Sequence, residues 1–514
     1  PTSIKVELLL YKEWYINHED DVIKYPMIYD YKTGVYTTVV NKEDADGMYY
    51  LYKLYFRDVD INGKIIETVT YAVDPYANSV SVNGDKGYVL DINEKSTKPI
   101  GFTNHPIPIL SEKDDSIIYE MHIRDFTIDE SSGVINDLRG TYLGTVEENT
   151  IYKNPYNGKC VKTGIEHLCE LGITHVHLMP IFDFGSVDER FPGSNNRNWG
   201  YDPKNFNVPE GSYCSNPYNP VTRILELRQM IMKFHERGIR VVMDMVYNHM
   251  MSTVNMDNIV PGYYFRSDYL GRYTNGSGCG NELASERPMV RKFIIDSCLH
   301  WIKDYKIDGI RFDLMELLDI DTTKEIVKKT TKLDKNFLIY GEPWKGGSSP
   351  LVNGTYKGSQ KNENFSIFND TFRDAIRGNN HPSSGFINGN QYSSICNWSI
   401  IEGLKGSIYT ITSNPNESIN YVDAHDNYTL WDQVEKSQNQ SIKFGEFRFN
   451  IPDYPLNSNL VKQDLLGMAI IFTAQGIPFI QSGSEFLKTK QGDHNSYKSN
   501  DYINSIKWSD KERF

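Results

Sequence analysis

Cysteine is scarce, with six in 514 residues, no CxxC pair and no histidine at ligand spacing, so no metal-site signature is present. Cys169 and Cys298 fall on apolar faces of predicted helices and read as buried free thiols, which leans toward a reducing, cytoplasmic compartment. Secretion stays open, because the chain begins at Pro1 without a Met and its true N-terminus is expected to be missing. Basic residues are outnumbered 67 to 54, a net charge of −13. That balance argues against nucleic acid as a partner and suits a neutral substrate. Long hydrophobic runs are also lacking. The longest, Leu465–Ile480, is interrupted by Gln475, Gly476 and Pro478 and reads as a core helix followed by a strand, not a membrane span.

What the chain has in quantity is aromatic side chains, 35 Tyr, 23 Phe and 7 Trp, as a packed globular protein requires. Its length exceeds one compact core, so two or three domains are expected. Residues 1–110 contain short alternating or aromatic runs, IKVELLLY, VYTTVV, YYLYKLYF and KIIETVTYAV, punctuated by Asp46-Gly47 and Asn62-Gly63. This predicts an antiparallel β-sandwich with a linker.

From residue 111 to 514 strands alternate with helices. Predicted strands lie at 117–126, 173–180, 238–249, 308–315, 337–344, 365–370, 419–427 and 476–486. Between them, Ile224, Leu227, Ile231 and Phe234 recur at helical spacing, with Gly238 at the cap position. Val290, Ile294, Cys298, Trp301 and Tyr305 do the same. Eight such units predict a (β/α)8 TIM barrel. The insert at 250–285 would be a loop beside the site.

Four of these strands end in polar residues: VVMDMVYNH (241–249), DGIRFDLM (308–315), YGEPW (340–344) and YVDAHDN (421–427). Carboxylates delivered at successive strand ends suit glycosidic bond cleavage. Alternation along a strand puts Arg311 and Asp313 on one face, where the guanidinium would keep Asp313 ionised. Glu342, beside Trp344, sits where apolar neighbours would raise its pKa toward that of an acid catalyst. Asp426 and His425 would meet the sugar, as would His249, with Asp244 supporting the network. His175 and His177 read as core residues without partners. Taken singly, each pair also fits a plain salt bridge or a satisfied loop contact, and only their joint order points to a site.

Together the four motifs resemble the signature regions of the α-amylase superfamily of glycoside hydrolases. NWGYDPKNFNVPEGSY (198–213), ASERPMVRKFIIDS (284–297), FNDTFRDAIRG (368–378) and NSYKSNDYIN (495–504) further resemble type I pullulanases, bacterial debranching enzymes. Residues 1–90 resemble that family's starch-binding-type sandwich. The resemblance implies a retaining hydrolase of α-1,6 bonds in pullulan, amylopectin and branched dextrins, with Asp313 as nucleophile, Glu342 as general acid/base and Asp426 as transition-state stabiliser. It implies that Arg311, His249, His425 and Asp244 line one glucose subsite, with Tyr201 stacking and Trp344 as a platform. Asn198, Trp199, Asn495 and Tyr497 would complete the substrate-binding set. The implied partner is an α-glucan, the chain a monomer, and no organic cofactor or metal ligand is assigned. Calcium stays open near Asn248, although no dense carboxylate cage is visible there.

Three features depart from the family pattern. Arg197 stands where the hallmark usually has Tyr. The sandwich is expected to lack its first strand. The barrel is expected to lack its last helix and a following β domain, leaving the outer faces of strands eight and one uncovered. The alternatives are an α-1,4-acting amylase, an isoamylase-like glycogen debrancher, or an inactive glucan-binding protein.

Overall fold

Eight short parallel strands close into a ring in the computed structural model, which describes residues 2–381, 383–447 and 454–513. In chain order they are Ile118–Met121, His175–Leu178, Arg240–Met245, Gly309–Phe312, Leu338–Gly341, Ser366–Phe368, Ser418–Asn420 and Ile477–Gln481. Strand eight pairs with strand one, Gln481 opposite Glu120, and this closes the (β/α)8 barrel. Every strand is shorter than the apolar run that announced it. After strand one, for example, His122 caps a short helix, Ile123–Thr127, by accepting from the Asp125 N–H at 3.3 Å.

The helices form where the spacing placed them. Pro220–Glu236 starts on Asn219, whose side chain accepts from the Val221 N–H, with proline in the first turn. It ends where Gly238 takes φ +76° and the Ile239 N–H reaches back to the Phe234 carbonyl at 2.9 Å. Ile224, Leu227, Ile231 and Phe234 are all buried against the barrel. Pro288–Tyr305 buries Val290, Ile294, Cys298, Trp301 and Tyr305 in the same way.

Strand alternation sorts the remaining side chains. Ile118, Val242, Leu338, Tyr340, Phe368, Ile419, Tyr421, Ile477 and Phe479 fill the barrel interior. Outward-facing residues such as Tyr119, Met121, Ile310 and Phe312 join the larger core under the helices. The interior is therefore largely a packed apolar plug, with His175 buried at its N-terminal end and most polar groups gathered at its C-terminal mouth.

The expected bare face at strands eight and one is not observed. Ile480, Tyr119 and Met121 are buried, because the chain after strand eight returns across that side. Trp508 in the short helix Trp508–Lys511 packs edge-on to Phe126 and His167, and its indole N–H donates to the Phe126 carbonyl at 2.9 Å. Apolar exposure appears elsewhere. The helix Asn459–Thr473, read from sequence as core, shows Leu465, Leu466 and Phe472 to solvent.

At the other end, strands Ile23–Pro26, Lys5–Tyr11, Tyr49–Val59, Ile65–Ala72 and Gly87–Tyr88 form one antiparallel sheet. A hairpin, Ile28–Asp30 with Val35–Thr37, supplies the other β layer; Met27 and Tyr36 pack with Val6, Leu54 and Phe56. The insert after barrel strand three carries one short helix, Val254–Asp257. Asn255 of that helix bonds the Val73 backbone, and Asn258 just beyond it bonds the Tyr71 carbonyl.

If Trp508 seals strand one, Trp508→Ala should destabilise the fold by about 3–5 kcal/mol, the usual range for a large buried aromatic. A thermal melt of the whole chain reads this directly, and an unchanged midpoint would remove the sealing role.

Candidate active site

One guanidinium organises the mouth of the barrel. Arg311 on strand four faces Asp244 on strand three and Tyr340 on strand five. Its Nη1 donates to Asp244 Oδ1 at 2.8 Å and to Asp313 Oδ1 at 2.9 Å, and its Nη2 lies 2.8 Å from Glu342 Oε1. Asp313 follows the last residue of strand four. Its other oxygen accepts from Asn248 Nδ2 at 2.7 Å. The next residue, Leu314, is held at φ +40°, a left-handed conformation disfavoured for a non-glycine residue. That turn aims the Leu314 N–H at Glu342 Oε2, 2.9 Å away. The turn after Asp313 and the Glu342 carboxyl are therefore built as one unit.

A single positive charge cannot satisfy three buried carboxylates equally, and their proton affinities diverge. Asp244 resists the upward push of burial because Arg311 pulls it down, to about 2. Burial dominates at Glu342 and raises it to about 8, with Asp313 and Asp426 adding to the effect against Arg311. Asp313 is also raised, by burial first, so Arg311 does not simply hold it ionised as alternation along the strand suggested. With the proton retained on Glu342, Asp313 is the carboxylate of the pair, held by Arg311 and Asn248. His425 goes the other way. Burial alone would lower it, but the Glu120 carboxylate, 2.7 Å from Nδ1, carries it up to about 9. Burial lowers His249 to about 4, which leaves it neutral.

Above this floor opens a cleft of about 530 Å3. Its walls include Asn198, Trp199, Tyr201, His249, Asp313, Glu342, Trp344, His425, Asp426, Asn495 and Tyr497. Tyr201 stacks on His425 with ring centres 4.9 Å apart and donates its hydroxyl to Asp244 Oδ2 at 2.6 Å. Trp199 stands edge-on to the same imidazole. Asp426 is half exposed, 3.8 Å from His425 Nε2. Trp344, Glu342 and Asp426 also border a second cavity of about 270 Å3, which Asp313 does not line. Cleft and cavity thus meet at the Glu342 carboxyl.

Residues 159–259 match the family described as alpha amylase, catalytic domain. Over 94% of its length the chain is 41% identical to the pullulanase of Bacillus subtilis and spans 63% of that protein. The solved pullulanase of Bacillus acidopullulyticus superposes with a TM-score of 0.88 at 40% identity, covering all of this chain and 59% of that one. The Paenibacillus barengoltzii pullulanase, solved with maltohexaose and α-cyclodextrin, gives 0.87 at 38% identity, covering all of this chain and 75% of that one. The chain belongs to the pullulanase family.

Within this pullulanase-family site, every residue expected from sequence is brought to the barrel mouth, but not all to the cleft surface. Asp244 is fully buried and supports Arg311, Tyr201 and His177 from below. His177 is not the partnerless core residue expected, since its Nε2 lies 3.2 Å from Asp244 Oδ2. Asn248 Nδ2 donates to both the side-chain and backbone oxygens of Asp313, and its Oδ1 lies 2.6 Å from His249 Nδ1. The one group of three carboxylates close enough to share a cation among the described residues is Asp183, Glu189 and Glu210. Arg223 already lies there, 2.7 Å from Glu189. Glu120 was missed altogether. It lies in strand one opposite His177, and a glutamate on the inward parity of an apolar strand was the available signal.

The shifts fix a pH dependence of stability. Glu342 ordinarily titrates at 4.5 but holds its proton to about 8 when folded, so the folded state binds more protons across that window and stability falls as pH rises through it. His425, raised from 6.5 to about 9, contributes stability that is complete below 6.5 and lost through 9. Glu342→Gln is neutral throughout and removes only the first slope. Its melting midpoint should gain on the wild type between about pH 5 and pH 8, and parallel midpoint-against-pH curves would contradict the assignment.

Proposed function

We propose that the chain is the catalytic part of a retaining hydrolase that cleaves α-1,6-glucosidic bonds in pullulan, amylopectin and branched dextrins. The observation that carries this reading is the pair of carboxyls joined through Arg311, with the proton kept on Glu342 and the charge on Asp313. That division of labour is what double displacement at an anomeric carbon needs. The Asp313 carboxylate attacks C1 while Glu342 gives its proton to the bridging oxygen, and the shortened glucan leaves with a free hydroxyl. Glu342, now a carboxylate, takes a proton from water, which attacks C1 and releases Asp313. Asp426 and the protonated His425 grip sugar hydroxyls beside the reacting carbon. Tyr201 offers a ring face for stacking, and Trp344, standing between cleft and cavity, is the platform for the leaving chain.

An α-glucan substrate is supported by the pullulanase relatives and by the maltohexaose and α-cyclodextrin bound to the Paenibacillus protein. Residues 1–110 are proposed as a separate starch-binding-like module and 111–514 as the catalytic barrel. The chain is taken to act as a monomer. No described helix is long and apolar enough to cross a membrane, and a cytoplasmic enzyme is the reading preferred over a secreted one.

Digestion of pullulan by the whole chain tests the linkage. Cleavage at α-1,6 bonds releases maltotriose alone, whereas an α-1,4-acting enzyme would yield trisaccharides that still contain an α-1,6 bond. Asp313→Asn and Glu342→Gln should each lower turnover by about a thousandfold or more while glucan binding persists. A tenth of wild-type turnover in either variant would reject its role. Azide should restore a Glu342→Ala variant on an activated substrate and yield an α-glycosyl azide, because it displaces Asp313 from the β-linked glycosyl-enzyme with a second inversion. Rescue confined to an Asp313 variant would exchange the two assignments.

A further inference from the structure

Arg197 uses all of its buried guanidinium on two segments distant in sequence. Nε donates to Asp125 Oδ1 at 2.8 Å, and Nη2 pairs with Asp125 Oδ2. Nη1 converges on three backbone carbonyls of the loop after strand eight, Ser496 at 3.3 Å, Tyr497 at 3.2 Å and Ser499 at 3.3 Å. The Arg197 side chain is wholly buried and Asp125 nearly so. Asp125 sits on the short helix after strand one, and its own carbonyl accepts from the Ile506 N–H at 2.9 Å.

The gripped loop has a second anchor at its far end, where Asp501 accepts from Arg124 Nε and Nη2 at 2.9 and 2.8 Å and its N–H donates to Ser194 Oγ at 3.1 Å, and the rest of it is tied within itself. Asn504 donates to the Ser496 and Ser499 carbonyls, and Ser499 bonds Asp493. Its one further backbone tie to the cleft wall is the Trp199 N–H, which donates to the Tyr497 carbonyl at 3.0 Å. Asn198 and Trp199 follow Arg197 directly in sequence, so one residue anchors two walls of the cleft. Tyr497 presents its partly exposed ring to the cleft with its centre 6.4 Å from that of Trp199.

We propose that Arg197 is a positioning residue that clamps the 493–504 loop, holding Tyr497 and Asn495 at a fixed distance from Trp199 as a sugar-binding wall. This rests on the glucan reading above. The task requires a guanidinium: five N–H groups in a planar fork serve a carboxylate on one edge and carbonyls on another. An ammonium keeps the charge but has one point of attachment. Arg197→Lys thus separates charge pairing with Asp125 from the carbonyl clamp.

The experiment uses the whole chain as wild type, Arg197→Lys, Tyr497→Ala and the double variant, with pullulan kinetics and backbone hydrogen exchange. Arg197→Lys should raise KM about tenfold with kcat within about twofold, a loss of uniform binding. Amide exchange should quicken at 495–504 but not on the barrel strands. In the double variant KM should be no worse than for Tyr497→Ala alone, because the clamp acts through that ring. Unchanged KM and unchanged exchange in Arg197→Lys would overturn the proposal. So would effects on KM that add in full, since these would mark a general structural role. Should Arg197→Lys fail to fold, the neutral pair Asp125→Asn with Arg197→Gln removes both buried charges together and must give the same loosened loop and raised KM. A wild type without activity on pullulan would reject the substrate reading, while loop exchange would still judge the clamp.

Discussion

The barrel mouth depends on one buried guanidinium shared among carboxylates from three successive strands. Arg311 is bound by Asp244 below, Asp313 at the end of its own strand and Glu342 from the next. Burying a charge of either sign is costly unless it is paired and hydrogen-bonded, so the group is stable only as a set. The same constraint produces the chemistry. Asp244 is nearest in strand register and takes the largest share of the positive charge. Glu342 is left with too little to offset its burial and keeps a proton. The difference between an acid and a base at this site comes from unequal access to a single cation.

That set is supported by a polar layer around and beneath it. Glu120 holds His425 through both its backbone N–H and its ring, and His177 bonds Asp244. Tyr201 links the layers, with its hydroxyl on Asp244 and its face on His425. Beneath lies the apolar plug of Ile118, Val242, Leu338, Phe368 and Phe479, which denies water to the floor and keeps these interactions strong.

Much of this was legible in the residues. Strand period and helix period alternate so regularly that seven of the eight barrel strands fall inside their predicted runs and the seventh in order, Ser418–Asn420, starts one residue ahead of its own, and the polar endings of four of them mark the mouth. What stayed hidden has a common cause. Glu120 and His177 are single polar residues inside apolar runs, and their meaning lies in partners on neighbouring strands, which local spacing does not reveal. The direction of the Asp313 shift follows first from its burial and then from Asp244 and Asp426 beside it, both three-dimensional quantities. The covering role of Trp508 was hidden because its burial arises from chain return, with Phe126 lying 382 residues earlier. Arg197 stood out only as a departure from a pattern; its five bonds could not be inferred from its neighbours in sequence.

The insert after strand three belongs to two bodies at once. Met250, Met251 and Cys279 edge the cleft, while Asn255 and Asn258 are stitched to Tyr71 and Val73 of the N-terminal sheet. The sheet is consequently a buttress as well as a module. Grafting a different module in its place would carry away the footing of a cleft wall, so the two parts are constrained to change together even though no residue of the sheet lines that cleft.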